Sequence, residues 1–394
     1  MNKRNGFPLS YQQLQLRLLR ACVVLLALCC VPGTLPAQPL GFVKRYINKL
    51  INDTTDIREP QFIAYPTLSF SPETSWEVGL STLFVYYARR DTTNRLSEIS
   101  GFTFYTFRGQ YGAVFDHALY THQNRWSLLG KLKYQNFPLL YFGIGPHTPS
   151  EELAIVDTRV LSIRERALKK IAKNIFTGVE VDFQRLSGVA FKPKDPSVIV
   201  QPPGYQGSSN LGIGAGILYD VRHNVLNVRK GAFAELALLH YNKGWGSDFG
   251  FTSIVSDNRW YQPLSSRNVL ALQAYGQFSL GQPPFNQLAL IGGENLMRGY
   301  YTGRFRDRNQ LAAQAELRML PLRLPFSKRL GAAVFGSTGT VFNNFEDLSL
   351  NQFVFAGGAG LRFLLFPKKD IYSRVDFGMT REGSGIYIFI GEAF

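Results

Sequence analysis

The sequence predicts an all-β protein, a 16-stranded antiparallel transmembrane β-barrel. Sixteen segments between Gln61 and Phe394 alternate polar and apolar residues, with turn residues at fairly even intervals. Hydrophobic residues make up 45% of the chain, and aromatic residues 14%. After Val31, however, no run approaches the ~20 apolar residues that a membrane helix needs. Apolar residues spread over alternating strands can lie in a membrane without any hydropathy peak.

The strands are predicted from alternation and turn residues. The segment 266–280 alternates most clearly, with Leu270 and Leu272 on one face and Gln273 and Tyr275 on the other. One face suits lipid and the other a wet lumen, although a soluble sandwich would show the same period. The predicted strands are 61–70, 74–88, 96–107, 110–121, 125–136, 156–170, 174–188, 209–221, 229–241, 247–262, 266–280, 309–321, 330–342, 352–366, 370–380 and 385–394. Segment 156–170 could equally be helical, because residues 163–171 mix charges without clear alternation.

Residues 1–37 read as an export signal. A basic region precedes the eleven-residue apolar run 21–31, and residues 35–37 form a plausible cleavage site. A lipoprotein signal is the alternative, because residues 26–29 loosely resemble a lipobox, but leucine before Cys29 fits poorly. The three cysteines of the chain all lie inside this signal, so the mature protein would have none: Cys22, Cys29 and Cys30.

The chain carries a formal net charge of +15, and the predicted signal contributes four of its basic residues. A basic balance can indicate nucleic-acid binding. An exported protein rarely meets nucleic acid, so the predicted counter-charge is outer-membrane lipid, including lipopolysaccharide, and no nucleic acid is expected.

Residues 38–60 precede the first strand. Phe42, Tyr46 and Leu50 recur every four residues with polar residues between them, which predicts one short amphipathic helix. It would lie at the membrane interface or in the barrel mouth. A simple tether is the alternative.

The stretch 292–321 opens with Gly292 and Gly293, continues through Met297-Arg298-Gly299-Tyr300, and runs into a period-2 strand. It resembles the signature loop of the BamA/TamA outer-membrane assembly superfamily, which includes the bacterial surface antigen proteins and the two-partner secretion pores. The resemblance implies that the loop folds back into the barrel lumen and that Arg298 meets polar groups on the wall. Similar stretches extend the resemblance over residues 136–394: 136–145, 219–231, 359–363, 374–378 and 387–394.

Two departures from that family stand out. Residues 38–60 are too few for the periplasmic repeat domains of BamA and TamA. The family's Phe-x-Asp-x-Gly pattern also becomes Phe335-Gly336-Ser337, and serine cannot pair ionically with Arg298. Period 2 places Glu316 and Asp376 toward the lumen, so they are proposed as partners of Arg298 ahead of Ser337. The alternative is that these charges only line a water-filled interior.

The last predicted strand ends in a pattern that looks like the signal by which assembly machinery recognises new barrels, and four residues carry it: Tyr387, Phe389, Gly391 and Phe394. An interfacial aromatic anchor is the alternative role for Phe394.

No motif indicates catalysis. The five histidines lack metal-ligand spacing, and His117 and His122, five residues apart, would face opposite sides of a strand. We find no nucleophile elbow and no phosphate-binding loop. The sequence therefore predicts no enzyme, no cofactor and no metal.

The resemblance implies a function in the outer membrane of a Gram-negative bacterium: insertion or assembly of outer-membrane proteins, or protein translocation. The partners would be unfolded outer-membrane proteins or a secreted protein. In the family's mechanism a seam between the first and last strands opens laterally, here joining 61–70 to 385–394. A passive or gated channel is the alternative, and an anchor barrel for a partner protein is a third possibility.

Overall fold

The computed structural model describes residues 56–71, 75–107, 109–198, 200–222 and 224–394. The predicted export signal 1–37 lies outside the described residues, as does most of the predicted helix or tether 38–60. Within the described part, no helix is long and apolar enough to span a membrane. Helical turns there are single 3₁₀ turns at Ala88–Arg90, His122–Asn124, Lys243–Trp245, Phe345–Asp347, Leu350–Gln352 and Pro367–Lys369.

Strands dominate the structure. The described residues form β1 Gln61–Ser71, β2 Ser75–Tyr87, β3 Leu96–Thr106, β4 Tyr111–Tyr120, β5 Trp126–Asn136, β6 Leu139–Tyr141, β7 Ala154–Ala172, β8 Ile175–Pro193, β9 Ser208–Asp220, β10 Gly231–Tyr241, β11 Phe251–Pro263, β12 Asn268–Gly281, β13 Ala289–Ile291, β14 Phe305–Asp307, β15 Asn309–Met319, β16 Leu330–Phe342, β17 Val354–Phe366, β18 Ile371–Thr380 and β19 Ser384–Ile390.

Each wall strand pairs antiparallel with the next along the chain. Strands β5 and β6 both pair with β7 and together make one interrupted wall strand, while β13 and β14 pair only with each other, inside a loop. The wall therefore has sixteen strands, as the sequence predicts. The helical alternative for 156–170 is wrong, because β7 is a continuous strand that pairs with β8 along its length.

The sheet curls around a lumen. Residues that are far apart in strand order meet, as Arg95 does with Asp220 at 3.1 Å and Lys369 does with the carbonyl of Glu59 at 3.1 Å. Buried polar side chains face inward and exposed aliphatic side chains face outward, which is the alternation of a membrane barrel. Among the described residues, no hydrogen-bonded ladder joins β19 to β1.

The connection between β12 and β15, residues 282–308, folds into this lumen. Its apolar residues pack in one cluster with inward-facing wall residues, and that cluster contains Ile291, Met297, Tyr300, Phe305, Ala312, Val341 and Ala356. The loop is therefore held against the wall by apolar contacts as well as by the charges described next. We call residues 282–308 the inner loop.

Candidate functional site

Arg298, at the tip of the inner loop, is fully buried between three wall strands. Its Nη2 lies 2.6 Å from Glu316 Oε2 on β15, and its Nη1 lies 2.5 Å from Asp376 Oδ2 on β18. The guanidinium carbon also lies 3.5 Å from the ring centroid of Phe335 on β16. A planar guanidinium suits this site because it can donate to two carboxylates while stacking on a ring.

Glycine on both sides lets the loop backbone lie directly against β18. A Cβ on Gly378 would lie 2.6 Å from the carbonyl oxygen of Arg298, and one on Gly299 would lie 2.7 Å from Cγ2 of Thr380. Gly299 has a φ of 114°, in the region that favours glycine. Its N–H donates to the hydroxyl of Tyr387 on β19 at 2.9 Å. The loop tip thus contacts the last two strands of the wall.

Arg298 belongs to a network of four arginines and three acidic residues, whose side chains are at most 2% exposed. Every carboxylate in it contacts at least two guanidiniums. Those pairs join the residues Arg298, Arg318, Arg362, Arg374, Glu316, Asp376 and Glu392. Desolvated charges need such shared hydrogen bonds, and removing one partner leaves another charge buried and unpaired.

Residues 391–394, which we call the tail, turn into the lumen. The prediction that the last strand runs to residue 394 is wrong, because β19 ends at Ile390 and Gly391 has a φ of 88°. Glu392 then reaches Arg362 at 2.9 Å. The carbonyl of Phe394 accepts a hydrogen bond from Arg318 at 2.9 Å. The tail therefore joins the same charge network as the inner loop.

Phe394 packs inside the barrel. Its cluster contains Val228, Tyr261, Val269, Ala271 and Ala393, which come from the β9–β10 connection, from β11 and β12, and from the tail itself. An interfacial anchor does not describe this buried side chain. Its role as an assembly signal in the unfolded chain remains a prediction.

The β9–β10 connection packs against the tail. The carbonyl of Leu226 accepts from the backbone N–H of Glu392 at 2.9 Å, and Asn224 donates to the carbonyl of Lys369 at 2.9 Å. Arg229 pairs with Asp370 in the β17–β18 turn, and these hydrogen bonds raise the pKa of its guanidinium. The connection thus links the tail to the turn beside the last two strands.

The lumen also contains a cavity of about 500 Å³. It lies between the inner loop and strands β7, β8, β10, β11 and β12, and Ala393 of the tail borders it. Its charged lining consists of two arginines and two aspartates on the wall and one glutamate on the loop: Arg164, Asp182, Arg259, Asp257 and Glu294. Amides line much of the remainder, so the cavity is polar and suited to water.

The structure brings several predicted site residues together and separates others. Glu316 and Asp376 both contact Arg298, whereas Ser337 donates to the carbonyl of Ala356 at 3.5 Å. The other predicted loop residues shape its turns, because Gly292 and Gly293 have φ values of 109° and 139° and Tyr300 packs on Phe305. Phe389 lies beside Arg374, with 5.0 Å between the guanidinium carbon and the ring centroid.

Four members of the network were not named as partners from the sequence: Arg318, Arg362, Arg374 and Glu392. Arg318 shares the polar face of its strand with Glu316, so alternation could have found it. Glu392 could not be found in this way, because its place depends on the turn at Gly391.

His240 on β10 contacts a hydroxyl group on the neighbouring strand β11. Nδ1 of His240 lies 2.8 Å from the hydroxyl of Thr252, and the amide nitrogen of Asn242 lies 3.4 Å from Nε2. The side-chain oxygen of Asn242 accepts from the backbone N–H of Gly244 at 2.7 Å. Among the described residues, no group of three potential ligands could hold a metal.

These features define a class: a 16-stranded transmembrane β-barrel whose lumen holds an inward-folded loop fixed by a buried arginine. The sequence model of the Omp85 superfamily domain matches residues 110–365. The chain belongs to the Omp85 superfamily, and the resemblance predicted from the sequence is confirmed.

Two solved structures share the fold. BamA from Haemophilus ducreyi lacking POTRA domains 1–3 is 12% identical with a TM-score of 0.52, and the match covers 89% of this chain and 77% of that one. CdiB from Acinetobacter baumannii is 10% identical with a TM-score of 0.55, and the match covers 84% of this chain and 59% of that one. No curated protein matches the sequence.

Proposed function

We propose that the protein is an integral outer-membrane barrel of a Gram-negative bacterium that inserts other outer-membrane proteins or passes a protein partner. The observation that carries the proposal is Arg298, which is held by Glu316 and Asp376 on two different wall strands. Buried ion pairs contribute little net stability compared with apolar packing, and their best-attested use is to fix one arrangement among several. A loop fastened in this way can be released by separating a few charges.

The wall region beside the loop tip supports strand exchange. Strand β19 has seven residues, whereas β1 has eleven. The chain leaves the wall after β19 and turns at Gly391 into the tail. An exposed backbone edge is a template for an added strand. We propose that the seam between β1 and β19 opens and offers this edge to an unfolded client strand.

The network would couple the loop to this seam. Glu316 contacts both Arg298 of the loop and Arg318, and Arg318 binds the carbonyl of Phe394 in the tail. Arg362 joins Asp376 to Glu392 by a second route. Moving β19 away from the wall would pull the tail out of the lumen. Arg318 would then lose the oxygen of Phe394, and Arg362 would lose Glu392. Release of the loop and movement of the last strand would therefore favour each other.

The direct test is the folding rate of an unrelated unfolded barrel protein in liposomes that contain this protein. We expect faster folding with the wild-type protein and loss of that acceleration with Arg298→Ala. Arg308→Ala is the matched control, because Arg308 lies on the same loop but bonds to Asn343 and Asn344 at the rim. Equal folding rates with and without the wild-type protein would exclude insertion of this client.

A channel is the second candidate, because the polar cavity along β8 and β10–β12 leaves that side of the lumen hollow. Liposomes that conduct ions but do not accelerate folding would favour it. An anchor barrel is distinguished by a partner that co-purifies with it in stoichiometric amount while both assays are negative. Lipopolysaccharide remains the proposed lipid partner, since the chain is basic.

A further inference from the structure

The two rims of the barrel differ in the length of their connections. Antiparallel pairing of successive wall strands sends alternate connections to opposite rims, so the inner loop connects strands at one rim and short turns such as 121–125 and 264–267 lie at the other. Short turns of such barrels face the periplasm. We call this side the short-turn rim, and it consists of these connections with the strand ends beside them: 88–95, 121–125, 169–175, 221–230, 264–267, 320–329 and 367–370.

Exposed positive charge is concentrated on the short-turn rim. Its exposed basic residues include Arg89, Arg125, Lys169, Lys170, Lys173, Lys230, Arg267, Arg323 and Lys328. Glu59, Asp220 and Asp370 also lie there, and each forms an ion pair with an arginine outside this list. The connections of the other rim carry exposed charges of both signs: Glu151, Asp195, Asp248, Glu346, Glu382, Lys194, Lys243 and Arg381. The short-turn rim therefore suits an anionic surface.

Tryptophans on the outer face indicate where this rim meets lipid. Trp126 begins β5 and Trp260 lies near the end of β11, and they are 41% and 48% exposed. Aromatic residues at such positions lie at the membrane interface. Nζ of Lys169 is 6.0 Å from the centroid of the Trp126 ring, and the two residues are in register. The charge of this lysine therefore lies at the level of the lipid headgroups, where long basic side chains extend toward water.

Apolar side chains are exposed in the same turns. Leu264, in the turn that contains Arg267, is 58% exposed, and Phe326, between Arg323 and Lys328, is 77% exposed. Basic residues beside exposed apolar residues are typical of surfaces that enter the boundary between headgroups and acyl chains. An acidic soluble partner would account for the charges but not for these apolar side chains.

A shallow apolar groove lies on the outer wall next to Trp260. It crosses β10, β11, β12, β15 and β16 and has a volume of about 930 Å³. Small residues form its floor and leave space for an acyl chain: Ala232, Ala234, Ala274, Ala313, Ala315 and Gly336. Trp260 and Phe355 border the groove with exposed rings. Lys230 and Arg267 lie at its end on the short-turn rim, because Lys230 is two residues from Ala232 and Arg267 is five residues from Leu272 of the lining.

We infer that the short-turn rim binds anionic phospholipid, and that one lipid is held with an acyl chain in this groove and its phosphate at Lys230 and Arg267. The inference rests on the proposed place of the protein in the outer membrane, but not on insertion or translocation. The leaflet at this rim presents phosphate and acyl chains together, which matches the charges and the groove. Each basic residue near an anionic surface strengthens binding by about fivefold.

Native mass spectrometry of the full chain in mixed micelles tests the inference, with phosphatidylglycerol and phosphatidylcholine of the same acyl chains in equal amounts. We expect the wild-type protein to retain phosphatidylglycerol in preference. Lys230→Gln combined with Arg267→Gln should lower the retained phosphatidylglycerol by roughly fivefold or more and leave phosphatidylcholine unchanged. Lys243→Gln combined with Arg381→Gln is the matched control, because it removes the same charges from the opposite rim and should change neither lipid.

The groove is tested separately. Ala313→Phe fills its floor and should lower the retention of both lipids, whereas Ile99→Phe, on the outer face of β3, should lower neither. Heat-dependent gel mobility confirms that each variant has folded, and Ala274→Phe replaces Ala313→Phe if that variant has not.

Four results would overturn the inference. These are equal retention of the two lipids by the wild-type protein, no effect of the rim substitutions beyond that of the control pair, no effect of the filled groove, and displacement of phosphatidylglycerol by an equal amount of lipid A. Each of them would leave the insertion proposal standing, because the micelles contain no client protein. Failure to accelerate the folding of a client would likewise leave the lipid measurement unchanged.

Discussion

Glu316 accepts from Arg298 through one carboxylate oxygen and from Arg318 through the other. Arg298 belongs to the inner loop, whereas Arg318 binds the tail. One buried carboxylate therefore holds both segments that fill the lumen. A change at Glu316 is therefore expected to affect the loop and the tail together.

Replacing Glu316 with glutamine should destabilise the barrel by about 3–5 kcal/mol, because three buried arginines lose a carboxylate that they share. The side chain keeps its shape, so the effect reports charge rather than packing. The loss of stability is measured as a shift in the urea midpoint of unfolding, with heat-dependent gel mobility as the readout of the folded fraction. A midpoint within error of the wild type would mean that water replaces the missing charge.

Arg298→Ala should loosen the inner loop and make it more sensitive to protease, since the loop loses both ion pairs and the stacking on Phe335. Arg298→Lys should be intermediate, because an ammonium keeps the charge but cannot bind both carboxylates with the same planar geometry. Limited proteolysis of the folded protein tests the order. Equal cleavage of all three proteins would show that apolar packing alone holds the loop.

Gly378→Ala should displace the loop tip without changing any charge, because the new methyl group would lie 2.6 Å from the carbonyl of Arg298. Gly336→Ala is the matched control, since a Cβ there meets nothing within 4 Å. Protease sensitivity should rise only in the first variant. If both variants behave like the wild type, the loop tip has room to move away from β18.

Glu392→Gln combined with Arg298→Ala should show non-additive stability, because both residues act through shared partners. Residues in one network typically couple by about 0.5–3 kcal/mol. A double-mutant cycle on the free energy of unfolding measures this coupling. Additive effects would show that the tail and the loop respond independently.

Deleting Phe394 should reduce the amount of protein assembled in the outer membrane. Two causes are separable, because Phe394 also packs on Tyr261 and Val269. Refolding in detergent, without assembly machinery, isolates the packing contribution. A defect in cells with normal refolding in detergent would identify an assembly signal, whereas a defect in both would identify packing. Normal amounts in cells would exclude both roles.

The sequence by itself determined the wall. Alternation and turn residues predict the wall strands, with segment 156–170 left open between strand and helix, because one side of a wall strand meets lipid and the other meets a polar lumen. The same alternation places Glu316 and Asp376 on the inner face, whereas the inward loop follows from the family resemblance of the stretch around Arg298. Alternation is a local signal, because it can be read from one strand without knowing which strands lie on the other side of the barrel.

Only the tertiary structure decided what meets inside. Glu392 and Phe394 enter the lumen because the chain turns at Gly391, and Arg362 finds its partners on neighbouring strands and on the tail. His117 and Glu165 lie 48 residues apart and meet only because Gly130 is in register between them. Contacts across strands depend on the register between strands and on the closing of the sheet. The alternation of a single strand determines neither of them.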